Sequence, residues 1–265
     1  MKKVIIVLLL VPTFFSCHEK NEETGNKTTA EQVQLINRLK AEVKQNPDSA
    51  STRMKLVNAL DSLKMYKEAI EQTDSLIARD SLNNGLWFAK AQLLESNKDT
   101  GAAVKSYEKA LSIYPSVETQ LNLANLLAEA KNPKALALCE NVSRMSLGRE
   151  TDASCEFIAG VYYSRTGNTA KALTFFDKAI TDNYTLMEAY MEKGFLYYDN
   201  RKYAEALKIF ETATTVNNLY ADAYYWKAKC LEANGNKEEA LLNYKRSLGL
   251  DKQLKEAAEA VNRLE

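Results

Sequence analysis

One pattern of small and bulky residues returns along this chain at a fixed interval, and it restricts the fold more than any other feature. Within residues 189–213, small residues stand at Gly194, Ala206 and Ala213, and bulky ones at Tyr190, Tyr197 and Phe210. About 34 residues upstream the same classes recur as Gly160, Tyr163, Ala172, Phe176 and Ala179; the same step downstream gives Ala228, Leu231, Ala240, Tyr244 and Ser247. Small residues where two helices touch, with large ones filling the space between them, describe a helical hairpin. A hairpin of this size leaves one apolar side open and buries it only by stacking on the next. The expected fold is therefore all-α: a superhelical solenoid of about six hairpins, with a lead-in helix before them and a capping helix after them.

Composition agrees with a helical chain and removes several functions. Of 265 residues only 4 are Pro and 9 are Gly, and 46% are hydrophobic, enough to supply a core. Lys plus Arg equals Asp plus Glu at 35 each, so no net field draws in nucleic acid. The single histidine, His18, lies outside every repeat, which excludes histidine-dependent triads and histidine-rich metal sites from the repeats. No catalytic residues, cofactor or metal are expected.

The unit at residues 84–117 carries Trp87, Ala91, Leu94, Ala103, Tyr107, Ala110 and Pro115, and with this spacing it resembles the tetratricopeptide repeat family. The resemblance runs over residues 50–83, 84–117, 117–152, 153–186, 187–220 and 221–254. The third unit departs most: Asn132-Pro133 shortens its turn by one residue. Residues 30–45 read as the lead-in helix, and residues 255–265, with Ala258, Val261 and Leu264, as the cap.

Ahead of the repeats, residues 1–16 begin with two lysines and continue with an apolar run at 4–11 that is too short to span a bilayer but suits a signal peptide. Phe14-Phe15-Ser16-Cys17 resembles a bacterial lipobox, which implies cleavage before Cys17, lipidation of its sulfur and stable membrane anchoring. Two phenylalanines stand where that motif prefers leucine and a small residue. Residues 18–29 hold no apolar side chain and read as a tether. The implied location is the outer membrane facing the periplasm, with the cell surface as the alternative.

Family resemblance also places a partner-binding groove on the first helices of the hairpins. Its positions one residue after the tryptophan-type marker are Met54, Phe88, Leu121, Phe157, Met191 and Tyr225, all apolar or aromatic; those five residues after it are Asn58, Gln92, Asn125, Val161, Phe195 and Lys229. Met54 stands where the chaperone-type clamp for a terminal carboxylate has lysine, so that clamp is not expected. Tyr198 joins the candidates, because eleven of the fourteen tyrosines fall from Tyr162 onward and tyrosine is favoured at interfaces. Two readings of the apolar stripe stand: a groove for a partner protein or peptide, or packing surface, within the array or in a homodimer. Cys139 and Cys155 are candidates for a disulfide between consecutive helices, and Cys230 for core packing.

Overall fold

Each hairpin is closed by the same backbone device. At the end of every first helix one residue enters the left-handed region: Lys64, Lys98, Lys131, Gly167, Arg201 and Gly235. At Lys98, for instance, its own N–H bonds the Glu95 carbonyl at 2.9 Å and the next N–H, of Asp99, reaches back to Leu94 at 2.8 Å. The same two bonds recur at all six turns, satisfying carbonyls that the helix end would otherwise leave open. The next helix then starts on a side-chain cap at Asp99, Asn168 and Asn236, whose oxygens accept from Ala102, Lys171 and Glu239 N–H. Only two of the six turns use glycine, and a side chain at positive φ costs about 1–2 kcal/mol. Arg201→Gly should raise stability by about 0.5 kcal/mol, since the relieved strain exceeds the added chain entropy; Gly167→Ala should lower it by about 1 kcal/mol. Chemical denaturation of both variants checks the pair of signs.

The computed structural model describes the backbone of residues 24–265 and the side chains of 30–265. Fourteen helices and no strand occur among the described residues. They divide between two compact units, the first ending at Thr119 and the second running from Gln120 to Glu265. The first unit holds α1 (Thr24–Gln45), α2 (Ala50–Ser62), α3 (Tyr66–Ile77), α4 (Asn84–Ser96), α5 (Thr100–Ile113) and the start of α6 (Val117–Glu129). The second holds the rest of α6, then α7 (Lys134–Ser143), α8 (Arg149–Arg165), α9 (Thr169–Asp182), α10 (Met187–Asp199), α11 (Tyr203–Val216), α12 (Ala221–Ala233), α13 (Lys237–Leu250) and α14 (Lys255–Leu264). From α1 to α5, and again from α7 to α14, each helix packs on the next in sequence.

Two helices differ from expectation. Helix α1 starts at Thr24 and so takes in part of the stretch read as tether, because extending an existing helix costs far less than nucleating one. Helix α8 starts at Arg149, ahead of residue 153, and Arg149 ties that extra turn to the end of α9 through Asp182 and the Thr181 carbonyl. The leader, Cys17 and residues 18–23 of the tether lie outside the described residues.

Two kinds of hairpin core share this frame. In α8/α9 and α10/α11 the marker is glycine and the filler phenylalanine: a Cβ placed on Gly160 would come within 2.5 Å of Phe176 Cε1, and one on Gly194 within 2.5 Å of Phe210 Cε1. In α4/α5 and α12/α13 the marker is alanine and the filler tyrosine, whose hydroxyl donates to a carboxylate, Tyr107 to Glu95 at 3.1 Å and Tyr244 to Glu232 at 2.9 Å. All four fillers and both alanines are essentially sealed from solvent. A ring without a hydroxyl seats flush on glycine; a tyrosine needs a partner for its buried O–H. At the end of the chain α14 covers the last hairpin with Ala257, Ala260 and Val261, and Leu264 packs beside them.

Candidate functional site

The groove positions separate once side chains are placed. In the series one residue after the marker, Phe88 meets Tyr107 with ring centroids 5.7 Å apart, Phe157 meets Phe176 at 6.0 Å, and Tyr225 meets Tyr244 at 5.6 Å. Each pair joins the first helix of a hairpin to the filler of its second. Met191 is fully buried in the α10/α11 core, and Phe157 is only 6% exposed. Neither offers a surface to a partner, and Val161, 1% exposed, is core as well. The apolar stripe is in large part intra-hairpin packing; its apolar character follows from the neighbouring ring. Met54 likewise packs against the α2/α3 core; it, Phe88, Leu121 and Tyr225 remain half-buried.

The other series stays more open. Asn58 is exposed; Gln92, Asn125, Phe195 and Lys229 are half-buried. In the second unit, two of these come together with Tyr225 of the first series and with rings that belong to neither. Phe195 and Tyr198 from α10 lie 4.6 Å and 5.3 Å from the ring of Trp226 on α12. Tyr203 at the start of α11 meets Tyr198 at 5.1 Å, and Tyr225 sits edge-on to Trp226 at 5.7 Å. Over this floor stands Lys229, its Nζ 4.3 Å from the centroid of Trp226, 5.2 Å from Tyr198 and 5.6 Å from Tyr225. Such contacts favour a cation electrostatically. Burial pulls the Lys229 ammonium below its ordinary range, against the pull of Cys230, Glu232 and Asp199. Burial also pushes the Tyr198 phenol up to about 12, with Cys230 and Tyr203 adding to it, so its hydroxyl remains a donor at neutral pH. Trp226 was not a candidate from sequence, because it falls two residues after the marker; the signal that marks it is its rarity, one of 2 tryptophans.

Cys139 and Cys155 are free, buried thiols, as is Cys230. The first two interact across α7 and α8 as thiols and not as a disulfide. The neighbouring Cys155 and burial push the Cys139 thiol up, while Cys139 draws the Cys155 thiol down, with Ser143 helping against burial.

A shallow polar hollow of about 390 Å³ opens between α8 and α9, lined by Glu156, Thr174, Asp177, Lys178, Thr181 and Asp182. Glu156 is pushed up to about 7 by burial first, then by the carboxylate of Asp182, with Lys178 opposing and Asp152 adding to it. Its folded-state value stands above the ordinary 4.5, so the folded protein keeps a proton that the unfolded chain gives up, and stability falls as pH rises from about 4.5 to about 7. Glu156→Gln should flatten that slope and raise stability at pH 8 by about 1 kcal/mol, a figure reduced for solvent screening. Urea unfolding at pH 5 and pH 8 reads the difference. Among the described residues no group of His, Cys, Asp or Glu is arranged to hold a metal ion.

Comparison with known proteins relates two stretches of the chain to a known repeat family. Tetratricopeptide repeat models match residues 191–255 and 85–117. Among solved structures the chain is similar to a tetratricopeptide repeat protein from Parabacteroides merdae, with 18% identity, TM-score 0.70, and 92% of this chain and 96% of that one covered. It is also similar to PilW, a type IV pilus biogenesis factor, with 18% identity, TM-score 0.63, and coverage of 81% and 98%. Yeast Tom70 follows with 16% identity, TM-score 0.59, and coverage of 92% and 60%. No curated protein sequence matches the chain. The chain thus carries tetratricopeptide repeats at residues 85–117 and 191–255, on an all-α fold of paired helices; at these identities the likeness of structure speaks for the fold alone.

Proposed function

We propose that this protein is a non-catalytic adaptor that binds a partner protein or peptide on the first helices of its second unit and is held at a membrane through a lipidated Cys17. The observation that carries the binding half is the aromatic floor of Phe195, Tyr198, Tyr225 and Trp226, half-buried on two successive first helices with Lys229 above it. Aromatic side chains supply contact area at low entropic cost and concentrate at binding hot spots. The anchoring half rests on the leader and the lipobox-like residues at 14–17, and it puts the repeats in the periplasm, on the outer membrane.

Affinity purification from envelope extract tests the binding half. Protein with Tyr198→Ala should lose a specific co-purifying partner by at least about tenfold, as expected when an aromatic anchor is removed, whereas Lys208→Ala on the exposed face of α11 should keep it. Equal recovery with both variants rejects the α10/α12 face. In the same strains Cys17→Ser should move the protein from the membrane to the soluble fraction, and unchanged fractionation rejects the anchor.

A further inference from the structure

The charged groups around the aromatic floor are committed to one another, with one exception. Lys227 pairs with Glu211 at 3.6 Å. Glu232 accepts from both Arg263 and the Tyr244 hydroxyl, the latter at 2.9 Å. Lys229, between them in sequence, forms no ion pair within 4 Å among the described residues; its Nζ stands over the three rings of Trp226, Tyr198 and Tyr225, with the charges of Glu232 and Asp199 acting on it from farther off. A half-buried ammonium has three donors, and ring faces satisfy its charge but accept none of its protons as strongly as a carboxylate oxygen would. The rings flank the cation from two helices, Tyr198 on α10 and Tyr225 with Trp226 on α12. A carboxylate that reaches Nζ therefore meets aromatic side chains from both helices.

We infer that Lys229 and its aromatic floor form a subsite for an internal acidic side chain, Asp or Glu, of an extended peptide, flanked in that peptide by an aromatic residue. The inference rests on the partner-binding reading of this face and specifies its chemistry. The carboxylate takes the ammonium's donors in a charge-assisted hydrogen bond, which is among the stronger polar contacts where water is partly excluded. The flanking ring lies against Tyr198 and Trp226 in the offset or edge-on geometry that aromatic pairs prefer.

Selection from a random heptapeptide library displayed at the amino terminus of a phage coat protein tests this, because such peptides present no free carboxyl terminus. Panned on the full chain, the library should yield binders in which Asp or Glu beside an aromatic residue is enriched about tenfold, the ratio expected from one charge-assisted contact. Lys229→Met should abolish the acidic preference while leaving the thermal transition unchanged, and Lys229→Arg should retain it. Binders with no acidic enrichment, or an enrichment that survives Lys229→Met, overturn this inference and leave the partner-binding face standing. If no peptide is selected by any of the three proteins, both the subsite and the peptide-binding face are rejected.

Discussion

Phe210→Ala lowers the unfolding free energy by about 3–5 kcal/mol. The ring is fully buried between α10 and α11 and lies against the one spot on α10 that carries no side chain, Gly194. Truncation therefore loses the burial of a whole ring and leaves a void that the rigid pair of helices cannot close. The two residues are coupled. Gly194→Ala alone places a methyl within 2.5 Å of the Phe210 ring and should cost about 1–3 kcal/mol through overpacking. In Gly194→Ala combined with Phe210→Leu, the smaller side chain makes room for the methyl, so the double variant should lose less than the sum of the two single losses. Urea denaturation of the four proteins gives the coupling directly. Strictly additive losses would mean that the glycine does not serve the ring.

Arg165→Met costs about 2–4 kcal/mol, the range for removing one partner of a largely buried ion pair after allowance for partial exposure. The guanidinium at the end of α8 grips two carboxylates at once: Nε and Nη2 bond Glu129 on α6, each at 2.8 Å, and Nη1 and Nη2 bond Glu192 on α10 at 2.8 and 2.9 Å. Only 18% of the arginine side chain and 15% of Glu192 reach solvent. Burial lowers the affinity of Arg165 for its proton, but Glu192 and Glu129 together outweigh it and raise that affinity overall. Without the cation two half-buried carboxylates face each other. Adding Glu192→Gln to Arg165→Met should therefore recover part of the loss, and equal stability of the single and double variants would show that the arginine acts by packing alone.

How far the chain could be read in advance depended on whether the cause was local. The small and bulky markers are repeated and local, so Gly160, Gly194, Ala206 and Phe210 point to a hairpin from sequence alone, and they sit in its core. The turn residues were harder, because lysine or arginine at positive φ in four of six turns runs against intrinsic preference and is imposed by the packing of the helices on either side. The apolar stripe was ambiguous for a different reason. An apolar residue on a first helix faces either a partner or the filler of its own second helix, and only the pairing of Phe88 with Tyr107, Phe157 with Phe176 and Tyr225 with Tyr244 decides between them. The grip of Arg165 joins residues from three helices, beyond any local pattern. The same is true of the floor under Lys229, where Trp226 is recognised only after α10 and α12 are set side by side.

The most direct test of the binding face is site-specific photo-crosslinking in cells that make the protein, with benzoylphenylalanine at Tyr198 in one strain and at Lys208 in another. A discrete adduct with a different protein is expected at position 198 and none at position 208. Adducts at 208 alone, or at 198 only with a second copy of this chain, would contradict it.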